Sequence, residues 1–409
     1  MMMQPGQLHL FSIPAFKRFV AAQTSSVLAY QMLSVAVGWQ IYDLTRSALS
    51  LGLIGLALFL PQFLLTLLVG HVADRYDRRR IISTCVLIEC VLAAGLAAGS
   101  FAHALSPRLS LACILLFGAA RAFENPTMQA FLPTLVKPEI LPECLALSAT
   151  GRQLGSILGP ALGGLIYIAG AGSAYTAIAA CYCLAALFYS GISSPPIAVR
   201  REPPTLKSVF EGVAYIKSKP DILGAISLDL FAVLLGGATA LLPIYARDIL
   251  ATGPWGLGLL RAAPAVGALV TSAYLVRRPF RHRVGSIMFT AVAGFGIATI
   301  VFGLSRSFWL SLAALAVLGA TDMISVVIRS TLVQLETPNE KRGRVSAVNF
   351  IFIGASNQLG EFESGVTAAW FGTVPAVVIG GICTLFVAAL WMRLFPGLAG
   401  RDQLIPKNL

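Results

Sequence analysis

The sequence predicts an all-α polytopic membrane protein, twelve transmembrane helices arranged as two six-helix bundles, on three observations. The chain of 409 residues is 57% hydrophobic and 12% charged, with a mean hydropathy of +0.80, whereas soluble domains run at roughly 45–50% apolar and about 25% charged. It contains twelve apolar runs of about 20 residues, the length that crosses a bilayer as a helix. With both termini placed inside, 22 of the 30 Lys and Arg fall in inner loops and tails, four in outer loops and four within runs. That asymmetry is the signature of cytoplasmic loops.

The first run, roughly 15–42, carries Gln23, Ser26, Tyr30 and Ser34 on one stripe that Gly38 continues. A polar stripe in hydrocarbon reads as cavity-lining, which makes Gln23 and Tyr30 candidate substrate contacts. Residues 1–14 lack a basic head followed by a small-residue cleavage site, so this run is expected to act as an uncleaved signal anchor. The second run, roughly 48–72, leads to the third, roughly 80–102, through Gly70-His-Val-Ala-Asp74-Arg75-Tyr-Asp-Arg78-Arg79-Arg80. A stretch this charged must be a short cytoplasmic loop. Asp74 is expected to pair with Arg78 and face the positive N-terminal end of the eleventh helix near Arg344, latching one state. The competing reading gives the arginines only topology and anionic lipid.

The fourth run, roughly 109–131, holds Arg121 with Glu124 and Asn125 one turn on. In the fifth, roughly 145–169, Gly155, Gly159 and Gly163 repeat every four residues and clear one face for a neighbour. Pro160 permits a bend there. This is either a flexible seal between the halves or ordinary small-residue packing. After the sixth run, roughly 173–192, residues 193–221 hold Pro195-Pro196, Arg200-Arg201 and Pro203-Pro204. They read as a cytoplasmic linker between an N-terminal bundle, 1–192, and a C-terminal bundle, 222–409. Within it, Leu206 to Lys217 is either an amphipathic helix on the membrane surface or a plain tether.

The second half supplies runs at roughly 222–246, 254–276, 284–304, 309–331, 346–371 and 374–395. Arg277-Arg278-Pro279-Phe280-Arg281-His282-Arg283 matches the place of the first Arg-rich loop but lacks its Gly and Asp. Gln358-Leu359-Gly360 echoes Gln153-Leu154-Gly155. Both fit two parallel repeats. Pro61, Pro126, Pro160, Pro243 and Pro264 are expected to supply breaks and bends.

Ionisable residues inside the spans cost roughly 2.5–3.5 kcal/mol each, so they need a partner or a wet cavity. Arg121 and Asp322 stand at matched positions with opposite sign, which suggests a cavity pair; the competing arrangement is intrahelical, Arg121 with Glu124. Asp322, Ser325 and Arg329 form a stripe at i, i+3 and i+7. Glu361 and Glu363 lie about 200° apart around one helix, so only one can face a cavity, and the sequence does not choose. Asp229 completes the candidate pathway, while Glu89, Arg152 and Arg261 are placed nearer helix ends.

The net charge of +12 is spread over short loops, which excludes a nucleic-acid face. The seven cysteines lack metal spacing, and Cys181 and Cys183 do not face each other on a helix. No cofactor or metal is expected, nor enzymatic chemistry. A phosphate-binding Gly-x-x-x-x-Gly-Lys-Ser/Thr loop is missing, which argues against direct ATP drive.

The Gly70–Arg80 loop resembles the signature between helices 2 and 3 of the major facilitator superfamily. Gly155-Ser-Ile-Leu-Gly159-Pro160-Ala-Leu-Gly163-Gly164 is similar to the Gly-Pro signature of its exporter branches, and Arg121 is similar in place to their arginine. Tyr42 to Leu49 and Asn357 to Gly365 resemble bacterial enterobactin-exporter and macrolide-efflux members. The resemblance covers most of residues 10–395. It implies the major facilitator fold and a monomeric secondary transporter of the bacterial inner membrane, both termini cytoplasmic. The implied activity is export of an amphipathic small molecule by rocker-switch exchange against protons, within membrane lipid. Its conformational switch would be Gly70, Asp74, Arg75, Arg78, Arg79, Gly155, Gly159 and Pro160. An importer, or a lipid or lysolipid flippase, shares the same fold. A non-transporting receptor or scaffold is the alternative from another class, although it has no need for buried charge.

Overall fold

Hydrocarbon offers the backbone no hydrogen-bond partner, so each crossing must close its bonds on itself. The computed structural model describes residues 13–193, 206–280 and 282–404, without the side chains at 66, 67, 70, 71, 73, 74, 206–209, 339, 340, 347, 350 and 351. The linker's Pro- and Arg-rich stretch (194–205), Arg281 and Lys407 lie outside the described residues. Twelve long helical segments follow one another: α1 Pro14–Thr45, α2 Ala48–Arg75, α3 Arg78–Phe101, α4 Pro107–Leu135, α5 Leu141–Tyr167 and α6 Ala171–Ser190. After the linker come α7 Pro220–Ile249, α8 Gly253–Arg277, α9 Val284–Leu304, α10 Phe308–Glu336, α11 Asn339–Phe371 and α12 Thr373–Leu394. Among the described residues, nine are long and apolar enough to cross a membrane by length and composition alone. The other three, α4, α5 and α11, hold Arg121 and Glu124, Arg152, and Glu361 and Glu363. Helix α11 starts seven residues before its apolar run, because its polar first turns are helical beyond the hydrocarbon.

The first compact unit comprises residues 1–44 and 60–203. Asp77 caps α3 by accepting a 2.8 Å bond from the Arg79 backbone N–H, filling one of the donors a helix start leaves open. Helix α3 packs on α4 and α6. The glycine face of α5 meets α1. A methyl carbon added at Gly155 would stand 2.9 Å from Val27 Cγ1, and one at Gly163 would stand 2.8 Å from Met32 Cα. The stripe of small residues thus packs two helices of the same unit.

The second unit comprises residues 45–59 and 204–409. The first half of α2 is gathered here because Gly52 and Gly55 lie against α11: a methyl at Gly52 would stand 2.9 Å from the Phe362 carbonyl and 3.0 Å from Gly365 Cα. Helix α8 packs on α10, α9 on α10 and α12, and α7 on α11 and α12. Leu228, Met288, Phe289, Ile328 and Leu332 are fully buried among them.

Of the expected breaks, only Pro243 sits at one. There α7 passes from Gly236 through a 3₁₀ turn, Ala238–Leu241, to a π turn, Tyr245–Ile249. The freed Gly237 carbonyl accepts a 2.5 Å bond from the Ser364 hydroxyl. Pro61, Pro126, Pro160 and Pro264 lie inside continuous helices, since one missing N–H is tolerated when both flanking turns remain packed.

The linker helix, Leu206–Ser218, is neither a plain tether nor held by lipid alone. Its Gly212 lies against the Arg344 backbone of α11, Tyr215 donates a 2.8 Å bond to the Glu336 carbonyl, and Glu211 pairs with Arg344. At the C-terminal end, Arg401 pairs with Asp221 at 3.1 Å and with Glu336, tying the ends of α7 and α10.

A methyl at Gly267 or Gly319 would overlap the carbonyl of Ala316 or Pro264, where α8 and α10 touch backbone to backbone. Gly267→Ala and Gly319→Ala should each cost about 1–3 kcal/mol by overpacking. Thermal unfolding in detergent reads this, with Gly95→Ala as the control, since Gly95 has nothing within 4 Å of such a methyl. Equal melting of all three variants would contradict the contact.

Candidate functional site

Charge placed inside a membrane helix stays only where something compensates it, and each unit solves this with its own buried polar cluster. In the first unit, Arg121 and Glu124 lie one turn apart on α4, spaced so that their side chains share a face. The guanidinium meets Glu124 Oε2 at 3.4 Å and stands 3.7 Å from the centre of the Tyr30 ring on α1. Asn125 accepts a longer contact from it at 3.5 Å. Ser26, also on α1, donates a 2.7 Å bond to the other Glu124 oxygen. The intrahelical partner of Arg121 is therefore occupied. Cation–π contact with a desolvated tyrosine adds about 2 kcal/mol to holding that guanidinium in place.

Glu89 of α3 belongs to the same cluster. It was expected near a helix end, but Arg78–Phe101 places it at the middle of the helix. It is 0% exposed, as is Glu124. The Glu124 carboxylate and the Tyr182 hydroxyl of α6 face it, yet neither Glu89 oxygen has a hydrogen bond. The run at roughly 80–102 already holds Glu89 close to its middle.

The polar stripe of α1 divides among neighbours. Gln23 is 1% exposed and accepts a 2.5 Å bond from Ser148 of α5, whose hydroxyl also receives Arg152 at 3.3 Å. Ser34 bonds its own helix at Gln31. Ser26 and Tyr30 are the members of the stripe that reach the charged cluster.

In the second unit, Asp229 of α7 and Arg329 of α10 form an ion pair with side chains 9% and 4% exposed. Asp229 thus has a committed cation, and the Asp322–Ser325–Arg329 stripe divides, with Arg329 turned to α7. Asp322 is half-buried and makes no ion pair with the described residues. On α11 the two glutamates separate as their angular offset requires. Glu363 accepts a 2.6 Å bond from Thr367 of its own helix. Glu361 packs over Gly55, where a methyl would stand 2.7 Å from its Cβ, and Arg261 of α8 lies within electrostatic reach.

Two arginines of the Arg-rich loop bond backbone carbonyls of neighbouring helices. Arg78 donates to the Ala130 carbonyl at 3.1 Å and Arg79 to the Ile192 carbonyl at 2.9 Å, fastening α3 to the ends of α4 and α6. Arg75 is exposed. The side chain of Asp74, like the side-chain environment of Gly70, lies outside the described residues, and with it the expected Asp74–Arg78 pair. Gly155, Gly159 and Pro160 lie on the α5 helix, the two glycines against α1. Among the described residues no group of His, Cys, Asp and Glu could hold a metal ion.

A sequence profile described as a transmembrane secretion effector matches residues 6–408. The enterobactin exporter EntS of Citrobacter koseri is 29% identical over 392 residues, 93% of this chain and 92% of that protein. The enterobactin exporter EntS of Shigella boydii serotype 18 is 30% identical over 346 residues, 82% and 80% of the two chains. Among solved structures, a mutant of the nucleoside transporter NupG superimposes with a TM-score of 0.76 at 13% identity, covering 93% of this chain and 100% of that one. A bacterial homolog of the human lysosomal transporter Spinster, in an inward-facing and occupied conformation, gives 0.75 at 14% identity, covering 96% and 97%. A D-xylose-proton symporter gives 0.73 at 13%, covering 94% and 99%. These three likenesses establish the fold.

Arg329→Gln leaves Asp229 buried without its cation and should cost about 3–5 kcal/mol, whereas the double change with Asp229→Asn removes both charges and should recover most of it. Detergent melting of the single and double variants reads this. A double variant as unstable as the single one would show that the ion pair is not what the two side chains contribute.

Proposed function

The chain belongs to the transmembrane secretion effector family of the major facilitator superfamily and is a multi-pass membrane transporter, and on that premise we propose that it exports an enterobactin-like amphipathic small molecule in exchange for protons. The observation that carries this reading is the likeness to enterobactin exporters along 93% of the chain. It is supported by carboxylates inside the spans, Glu124, Asp229, Asp322, Glu361 and Glu363, which a protein with no moving charge would have no reason to keep in hydrocarbon.

In this reading the chain lies in the bacterial inner membrane with both termini in the cytoplasm, as the excess of Lys and Arg on that side favours. Bundles 1–192 and 222–409 rock against each other across the linker, and the protein works as a monomer in lipid. In the first unit Arg121, Glu124, Tyr30 and Gln23, and in the second Asp229, Asp322, Glu361 and Glu363, belong to the solute and proton pathway. The Gly70–Arg79 loop, with Gly155, Gly159 and Pro160, governs the switch. Asp322 is better suited than Asp229 to change partners, because it makes no ion pair with the described residues, while Asp229 is already held by Arg329.

Export is tested in an Escherichia coli strain lacking its own enterobactin exporter. Expression of this chain should restore enterobactin to the medium, and membrane-inserted protein that leaves secretion at the empty-vector level would refute the reading. Proton coupling is tested in everted vesicles. One proton moved across 100 mV is worth about 2.3 kcal/mol, so a protonophore should lower enterobactin accumulation about fifty-fold. Accumulation indifferent to the protonophore would refute antiport while leaving export standing.

A further inference from the structure

The cluster in the first unit has an imbalance that its geometry makes quantitative. Glu89 and Glu124 are both 0% exposed, and among the described residues the cation beside them is Arg121. Among the described residues, the titratable and charged groups that face Glu89 are Arg121 and Glu124 on α4, Tyr182 and Tyr189 on α6, and Cys85 on its own helix α3, with Tyr30 of α1 beneath Arg121. No second cation is among them. With both glutamates ionised the cluster would hold a net negative charge away from water, a state that costs far more than a neutral one.

Hydrogen bonding points the same way. Glu124 is fully engaged as an anion, receiving Ser26 on one oxygen and Arg121 on the other. Glu89 receives nothing on either oxygen although it is completely buried. An ionised carboxylate in that position would have the Tyr182 hydroxyl as its one facing donor among the described residues, too few for its two oxygens. A neutral carboxyl has an O–H to donate, and the Glu124 carboxylate faces it as an acceptor. Two carboxylates that face each other in a low-dielectric site share one proton for this reason.

We propose that the Glu89–Glu124–Arg121 cluster is a proton-binding site, in which Glu89 carries one proton that offsets the second carboxylate. A water-borne proton bonds to a lone pair of the Glu89 carboxylate on loading and returns to water when the cluster opens. Nothing else changes bond or oxidation state. Its part in transport rests on the proton-coupled reading above; its occupancy by a proton does not. The site shares Arg121 and Glu124 with the pathway named there and adds Glu89 of α3 as the group that carries the proton.

Infrared difference spectroscopy of the purified, substrate-free protein at neutral pH tests the occupancy. Subtracting the Glu89→Gln spectrum from the wild-type spectrum should leave the C=O band of a protonated carboxyl, shifted in heavy water. Glu124→Gln should lose the same band, because one carboxylate against one guanidinium is neutral without a proton and Glu89 is then ionised opposite Arg121. A wild-type spectrum without that band overturns the proposal, and so does a Glu124→Gln spectrum that keeps it. If Glu89→Gln does not fold, the wild-type and Glu124→Gln pair decides. In proteoliposomes carrying enterobactin against a pH-sensitive dye, Glu89→Gln should lose the pH change that accompanies flux, and an unchanged ratio of protons to enterobactin overturns the role in coupling. Wild-type vesicles that carry no enterobactin sink the export reading instead, with the infrared result unaffected.

Discussion

The cost of an uncompensated charge in hydrocarbon governs this protein more than any other single constraint. It explains why most of the described buried ionisable groups have an oppositely charged neighbour. Arg329 faces Asp229, Arg121 faces Glu124, and Arg261 lies near Glu361. In each case the cation is an arginine, whose planar guanidinium holds its charge and offers several donors to a carboxylate or a ring face. Tyr30 beneath Arg121 uses that face. Where the compensation is incomplete, at Glu89 and Asp322, the structure has a group whose charge state or partner can change. Those are the places where a transporter can couple one movement to another.

A second constraint follows from the first. Lipid tails are as apolar as leucine, so helices gain little by hiding apolar surface from one another, and close approach must supply the attraction. The glycines do this at particular crossings. Gly155 and Gly163 admit α1, Gly52 admits Gly365 of α11, and Gly267 and Gly319 bring α8 and α10 together. Polar contacts are thereby brought to short range: Gln23 with Ser148 lies along the α1–α5 crossing, and Glu361 sits over Gly55. The glycine stripe of α5 accordingly positions the α1 polar residues as well as packing them.

Much of the fold was legible in the order of residues because bilayer thickness imposes a length and water imposes charge on the loops. The run at 284–304 coincides with α9, and the Arg-rich loops mark helix starts. The departures have local causes. α11 extends to Asn339 because a helix can continue on polar residues once it leaves hydrocarbon. Four prolines did not break their helices, since tertiary packing holds the turns on both sides, while Pro243 did so beside Gly237, where a serine from α11 could satisfy the freed carbonyl. The candidate residues were legible as a set, because any charge within a run is conspicuous, but their roles were not. Glu89 reads as nearer a helix end although the run at roughly 80–102 holds it close to its middle, and Glu361 cannot be told from Glu363.

What the sequence determined by itself is what one-dimensional rules can reach: how many times the chain crosses, which loops are basic, which residues stand in hydrocarbon, and which superfamily's signatures it carries. Only the tertiary structure decided who compensates whom. Asp229 and Arg329 are a hundred residues apart in the chain, and Glu89 meets Glu124 across two helices. Pairing of this kind depends on the rotation of each helix and on how closely its glycines let a neighbour approach, and neither quantity is written in the order of residues along a single span.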